Sequence, residues 1–68
     1  MKSEIKFTRS EMQIINYITE GLNSMEIAAI RGSSLKTIEV HRQNILKKSK
    51  CRNMIELVVK LFREGIIK

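Results

Sequence analysis

Isoleucine, leucine and valine recur three and four positions apart in separate stretches of this chain, and nowhere do apolar and polar residues alternate as along a half-buried strand. Ile14, Ile15, Ile18 and Leu22 make the first stretch. Thr8-Arg9-Ser10-Glu11 precedes it with the spacing of a capping box. In that motif the hydroxyl accepts from the third helical N–H, and the acid reaches back to the cap N–H. Asn23-Ser24-Met25-Glu26 repeats the signature ahead of Ile27, Ala28 and Ile30, and Asn53-Met54-Ile55-Glu56 repeats it again. Ser34 is placed to cap the helix between them. Gly21, Gly32 and Gly65 supply stops. The pattern predicts an all-α fold of four helices over about 9–20, 24–31, 35–49 and 54–64, in one domain of 68 residues. Residues 1 to 6 are expected to form a loose end. The tight Arg31-Gly32-Ser33 link between two short helices fits a helix-turn-helix.

On a wheel at about 100° per residue, Leu35, Ile38, Ile45 and Leu46 share the core side of the third helix. Arg42 falls near them and must snorkel. Lys36, Val40, Gln43 and Lys47 lie opposite, flanked by Glu39 and Asn44. The fourth helix carries two apolar stripes. Ile55, Val58, Val59 and Phe62 are expected on the core, which leaves Met54, Leu57 and Leu61 outside as an interface.

Charge sharpens this picture. The chain is net +6, from 13 basic and 7 acidic residues. Between Ser34 and Arg52 stand Lys36, Arg42, Lys47, Lys48, Lys50 and Arg52 against the single acid Glu39, so nearly all the excess lies in one stretch. Such concentration suits a polyanion; a solvated basic helix has the same composition. Glu39 has two readings. It pairs with Lys36 or Arg42 within the helix, or it accepts a hydrogen bond from a cytosine amino group. Gln43 suits adenine, and Val40 suits a thymine methyl.

The order Thr8-x-x-Glu11, Gly21-Leu22, Glu26-Ile27-Ala28, Gly32, Ser34-x-Lys36-Thr37-Ile38-x-Val40-His41-Arg42-x-Asn44-Ile45 and Lys48 resembles the LuxR-type helix-turn-helix domain over residues 7 to 66. That domain is the DNA-binding output domain of NarL/FixJ-type response regulators and of quorum-sensing regulators, and it forms stand-alone GerE-like regulators. The resemblance implies that the third helix enters the major groove of double-stranded DNA. It implies base reading at Glu39, Val40 and Gln43, and phosphate contacts at Ser24, Ser34, Lys36, Thr37, Asn44, Lys47 and Lys48. It also implies a homodimer through the fourth helix, here expected to be weak and to use Met54, Leu57 and Leu61; packing on a regulatory domain outside this chain is the alternative. Departures are Phe7 for leucine, Ser10 for arginine, Arg31 and Ser33 for apolar residues at the turn, and Ser49 for leucine. Ile30 is expected to replace the lost contact at the turn, and the core to be weaker than usual.

The implied function is a sequence-specific transcription regulator, either stand-alone or as an output domain. The rival is an interaction module docking on an acidic partner such as RNA polymerase. A membrane-surface peptide fits poorly with three capping boxes. His41 has only Cys51 as a conceivable partner ligand, so neither metal nor cofactor is expected. No catalytic constellation appears, so no enzyme is expected. One cysteine and the lack of a signal peptide suggest a cytoplasmic setting.

Overall fold

A computed structural model describes residues 6–67. Of the expected loose end, only Lys6 lies among the described residues. Four helices follow one another: α1 (Arg9–Thr19), α2 (Ser24–Arg31), α3 (Leu35–Ser49) and α4 (Met54–Arg63). Among the described residues there is no strand.

The helix starts follow the local chemistry. Thr8 Oγ1 accepts from Glu11 N at 3.0 Å, and Glu11 Oε1 accepts from Thr8 N at 2.9 Å. Asn23 and Glu26 reciprocate in the same way, at 2.9 and 2.8 Å. The third box is only half formed. Asn53 Oδ1 caps Glu56 N at 2.8 Å, but Glu56 Oε1 reaches one residue further back, to Arg52 N at 2.6 Å. All four helices end alike. The N–H of Leu22, Ser33, Cys51 or Ile66 bonds back to the carbonyl five residues earlier. The residue before each of these donors is left-handed: Gly21, Gly32, Lys50 and Gly65. Glu20 and Glu64 are the caps just outside α1 and α4.

The other three helices pack against α3. Ile14 and Ile15 of α1, Ile27 and Ala28 of α2, Ile38 and Ile45 of α3, Met54, Leu57 and Leu61 of α4, and Ile67 form one buried cluster. This reverses the expected orientation of α4. Leu57 and Leu61 are fully buried and Met54 nearly so, whereas Ile55 is 78% and Phe62 64% exposed, with Val59 also outside. Met54, Leu57 and Leu61 therefore cannot form an outer interface. The two stripes are not opposite each other; they are adjacent halves of one apolar arc spanning roughly 200° of the wheel. Lys60, which flanks the Leu57 side, donates to the Ser49 carbonyl at 3.2 Å and turns that half towards α3.

Two smaller expectations also fail. Leu35 is 46% exposed, because the first residue of α3 precedes the turn that meets α2. Ile30 is 55% exposed and does not repair the α2–α3 turn. That turn is held instead by Ser33 N on the Ala28 carbonyl, at 3.0 Å, and by Arg31 hydrogen-bonding Gln13 of α1. Arg31 Nε and Ser33 Oγ stay buried without a partner, a cost that an apolar side chain would avoid. Ser49 is buried at the end of α3, with its hydroxyl on the Leu46 carbonyl at 3.2 Å.

Candidate nucleic-acid interface

The α2–α3 turn fixes where α3 begins. Gly32 ends α2 in the left-handed conformation, and Ser34 Oγ accepts from Thr37 N at 3.1 Å to start α3. Burial of Ile38 and Ile45 then sets the rotation of the helix. Lys36, Thr37, Glu39, Val40, Gln43, Asn44 and Lys47 all lie exposed as a result. Seven of the expected contact residues are thus gathered on one surface, and Ser34 stands at its edge.

Neither Lys36 nor Arg42, the two candidate partners within the helix, lies within ion-pair distance of Glu39. The carboxylate faces solvent among cations. Val40 beside it is 44% exposed, presenting methyl groups on an otherwise polar surface. The Ser34 and Thr37 hydroxyls lie 3.0 Å apart; one donates to the other, which leaves a single O–H for a further acceptor.

Lys48 departs from the expected arrangement. Its Nζ lies 2.7 Å from Glu11 Oε1, and Glu11 is buried. The lysine thus ties α3 to α1, while its side chain stays 38% exposed. Burial pushes the Glu11 carboxyl up, but the hydrogen bond from Lys48, the Thr8 N–H and the lysine charge outweigh it and hold the group below its ordinary value. Sequence reasoning saw Glu11 only as a capping residue. An acid in the first turn of one helix and a lysine in the last turn of another give no pairwise signal along the chain.

Ser24 is half-buried in the first turn of α2. It shares an open cleft of about 570 Å³ with Glu39, Arg42, Met25 and Leu35. Arg42 is half-buried and lines the cleft together with Leu22 and Leu35, a setting that suits a snorkelling side chain. Met25, exposed at the cleft rim, was not singled out by the sequence pattern. Cys51 is half-buried, its thiol on the Ser49 carbonyl at 3.7 Å. Among the described residues no group of acids, histidine and cysteine could hold a metal. No helix among them is long and apolar enough to cross a membrane.

Comparison with known proteins agrees with this geometry. The family described as "Bacterial regulatory proteins, luxR family" matches residues 6–61. The uncharacterized response regulatory protein YgeK of Escherichia coli K12 is 38% identical over 94% of this chain and 44% of its own length. The transcriptional regulatory protein UhpA of Salmonella typhimurium is 40% identical over 81% of this chain and 28% of its own length. The response regulator protein VraR of Staphylococcus aureus strain Mu3 is 32% identical over 88% of this chain and 29% of its own length. The chain thus spans less than half the length of these relatives. It belongs to the luxR family of bacterial regulatory proteins, as a four-helix helix-turn-helix that binds DNA in transcription regulation.

Proposed function

We propose that the chain is the DNA-reading part of a response regulator, acting by binding and not by catalysis, in the cytoplasm. In this reading α3 lies in the major groove. Glu39, Val40 and Gln43 face base edges, while Ser34, Lys36, Thr37, Asn44 and Lys47, together with Ser24 of α2, meet phosphates. The observation that carries the reading is the unpaired Glu39 carboxylate on a face otherwise rich in cations. Next to phosphates a lone acid weakens binding, so its use lies in discrimination, by accepting from a cytosine amino group. The names of YgeK and VraR as response regulators support the output-domain role.

The exposed half of the α4 arc, Ile55, Val59 and Phe62, supports a weak homodimer in place of the stripe first expected. Three side chains make a small patch, which fits association stabilised by DNA rather than a permanent dimer.

Selection of bound duplexes from a random pool, followed by titration at several salt concentrations, tests the reading. An enriched motif is expected, in two half-sites about one helical turn apart. The affinity should fall steeply with salt, at about 0.9 in log–log slope per phosphate contacted. A pool that stays unenriched would favour the rival, a protein-docking module for an acidic partner such as RNA polymerase.

A further inference from the structure

Lys50 and Arg52 have no place in the interface described so far. Both lie in the link from α3 to α4. With Gln43, Leu46, Lys47 and Cys51 they line a second open hollow, of about 470 Å³. Three cations border one concave surface. Lys47 and Lys50 make no ion pair among the described residues, and Arg52 meets only Glu56, at 3.5 Å, with its own side chain almost wholly in solvent. Like charges gathered around a hollow are relieved when an anion enters it.

The backbone adds a second observation. Lys50 has φ 58 and is the one non-glycine residue at positive φ among the described residues. The other three helices end on glycine, which takes this conformation without strain. At the end of α3 a strained lysine stands instead, and it holds a cation at the rim of the hollow.

Position links the hollow to the reading face. Gln43 belongs to both. At a rise of about 1.5 Å per residue, Lys50 lies about 10 Å further along the helix axis. The major groove is only about 12 Å wide, so with Gln43 over the bases the end of α3 and its link come close to the sugar and phosphate that bound it. Lys48 beside it is paired with Glu11.

We propose that Lys47, Lys50 and Arg52 form a cradle for a backbone phosphate of the DNA flanking the bases read by Gln43. The proposal rests on α3 lying in the major groove, and it extends the footprint beyond that helix. The cradle carries no base information; it sets affinity and register.

Parent, Lys50→Gly, Arg52→Gln and the double variant are titrated across salt against a duplex bearing the selected motif, with thermal unfolding measured alongside. Lys50→Gly relieves the positive φ, so its Tm should rise while its DNA affinity falls, and opposite shifts exclude unfolding as the cause. The double variant should lower the log–log salt slope by about 0.9, the share of the one phosphate held in the cradle, and each single variant by no more than that, with the selected motif unchanged. Trimming the flank by half a turn should bring the parent down to the double variant and leave the double variant unaffected. If the double variant keeps the parent's slope and affinity while the parent selects its motif, the cradle is overturned and base reading stands. A parent without salt-dependent affinity for any duplex overturns both.

Discussion

α3 and α4 pack on each other, yet they present opposite chemistry to solvent. α3 shows amides, hydroxyls and charges, relieved by the apolar Val40 and, at its first residue, Leu35. α4 shows Ile55, Val59 and Phe62 on one half of its surface and keeps its charges on the other. A polyanion fits the first surface, and only another apolar surface fits the second. The same small core must support both, so the two faces have to be separable by mutation: changes on either outer face should leave the fold standing, and changes beneath should not.

The largest effect that tests this separation lies in α4. Leu57→Ala or Leu61→Ala removes fully buried methyl groups and should cost about 2–5 kcal/mol. That is most of the stability of a domain this small. Phe62→Ser, one position along, should change stability by about 0.5 kcal/mol or less, and should reduce self-association on a two-half-site duplex. Circular dichroism melts alongside sedimentation would show it. A Phe62→Ser protein that melts like Leu57→Ala would place both halves of the arc in the core.

Next in size is the tie between α1 and α3. Glu11→Gln leaves Lys48 without its carboxylate and should cost about 1.5–3 kcal/mol, as for a hydrogen bond to a charged group. The pH dependence has a definite sign. The folded Glu11 carboxyl titrates below its ordinary value near 4.5, so its contribution is present above that pH and is lost as acid takes the group through its folded value. Melts from neutral to acid should therefore converge for parent and Glu11→Gln. Parallel curves would mean that the ion pair does not stabilise the fold. Glu56, held low by the Arg52 N–H, titrates in the same window in both proteins and cancels from the comparison.

A smaller gain is expected at Lys50. Replacement by glycine removes the left-handed strain and should stabilise the domain by about 1 kcal/mol. Chemical denaturation would reveal it as a higher midpoint at unchanged slope. A lower midpoint would mean that the lysine side chain holds the link by contacts stronger than the strain.

The same two helices show what could be read from the residues in advance. Helix starts were legible because Thr8, Asn23, Ser34 and Asn53 each act within three residues of themselves. α3 could be oriented because its polar side is charged. Only Ile38 and Ile45 needed burying, and a basic run cannot lie in a core. α4 could not, because Ile55 and Leu57 look alike to a hydrophobic period. Its rotation shows only in contacts between helices, such as Lys60 on the Ser49 carbonyl. The Lys48–Glu11 pair escaped for the same reason, since its two residues lie in different helices. Leu35 followed the wheel but not the geometry of a helix end.

Glu39 is the residue on which base reading depends, and its substitution has the smallest expected effect on stability. Glu39→Gln keeps shape and hydrogen-bonding reach but loses the charge and one acceptor. The stability of the fold should move by no more than about 0.5 kcal/mol, as for a surface substitution. Selection from a random pool, run side by side with the parent, should return the same motif with one base pair per half-site relaxed by about 1–3 kcal/mol of discrimination. Non-specific affinity should rise slightly as an acid near phosphates disappears. The same motif, equally sharp at every position in both proteins, would contradict base reading by this face of α3.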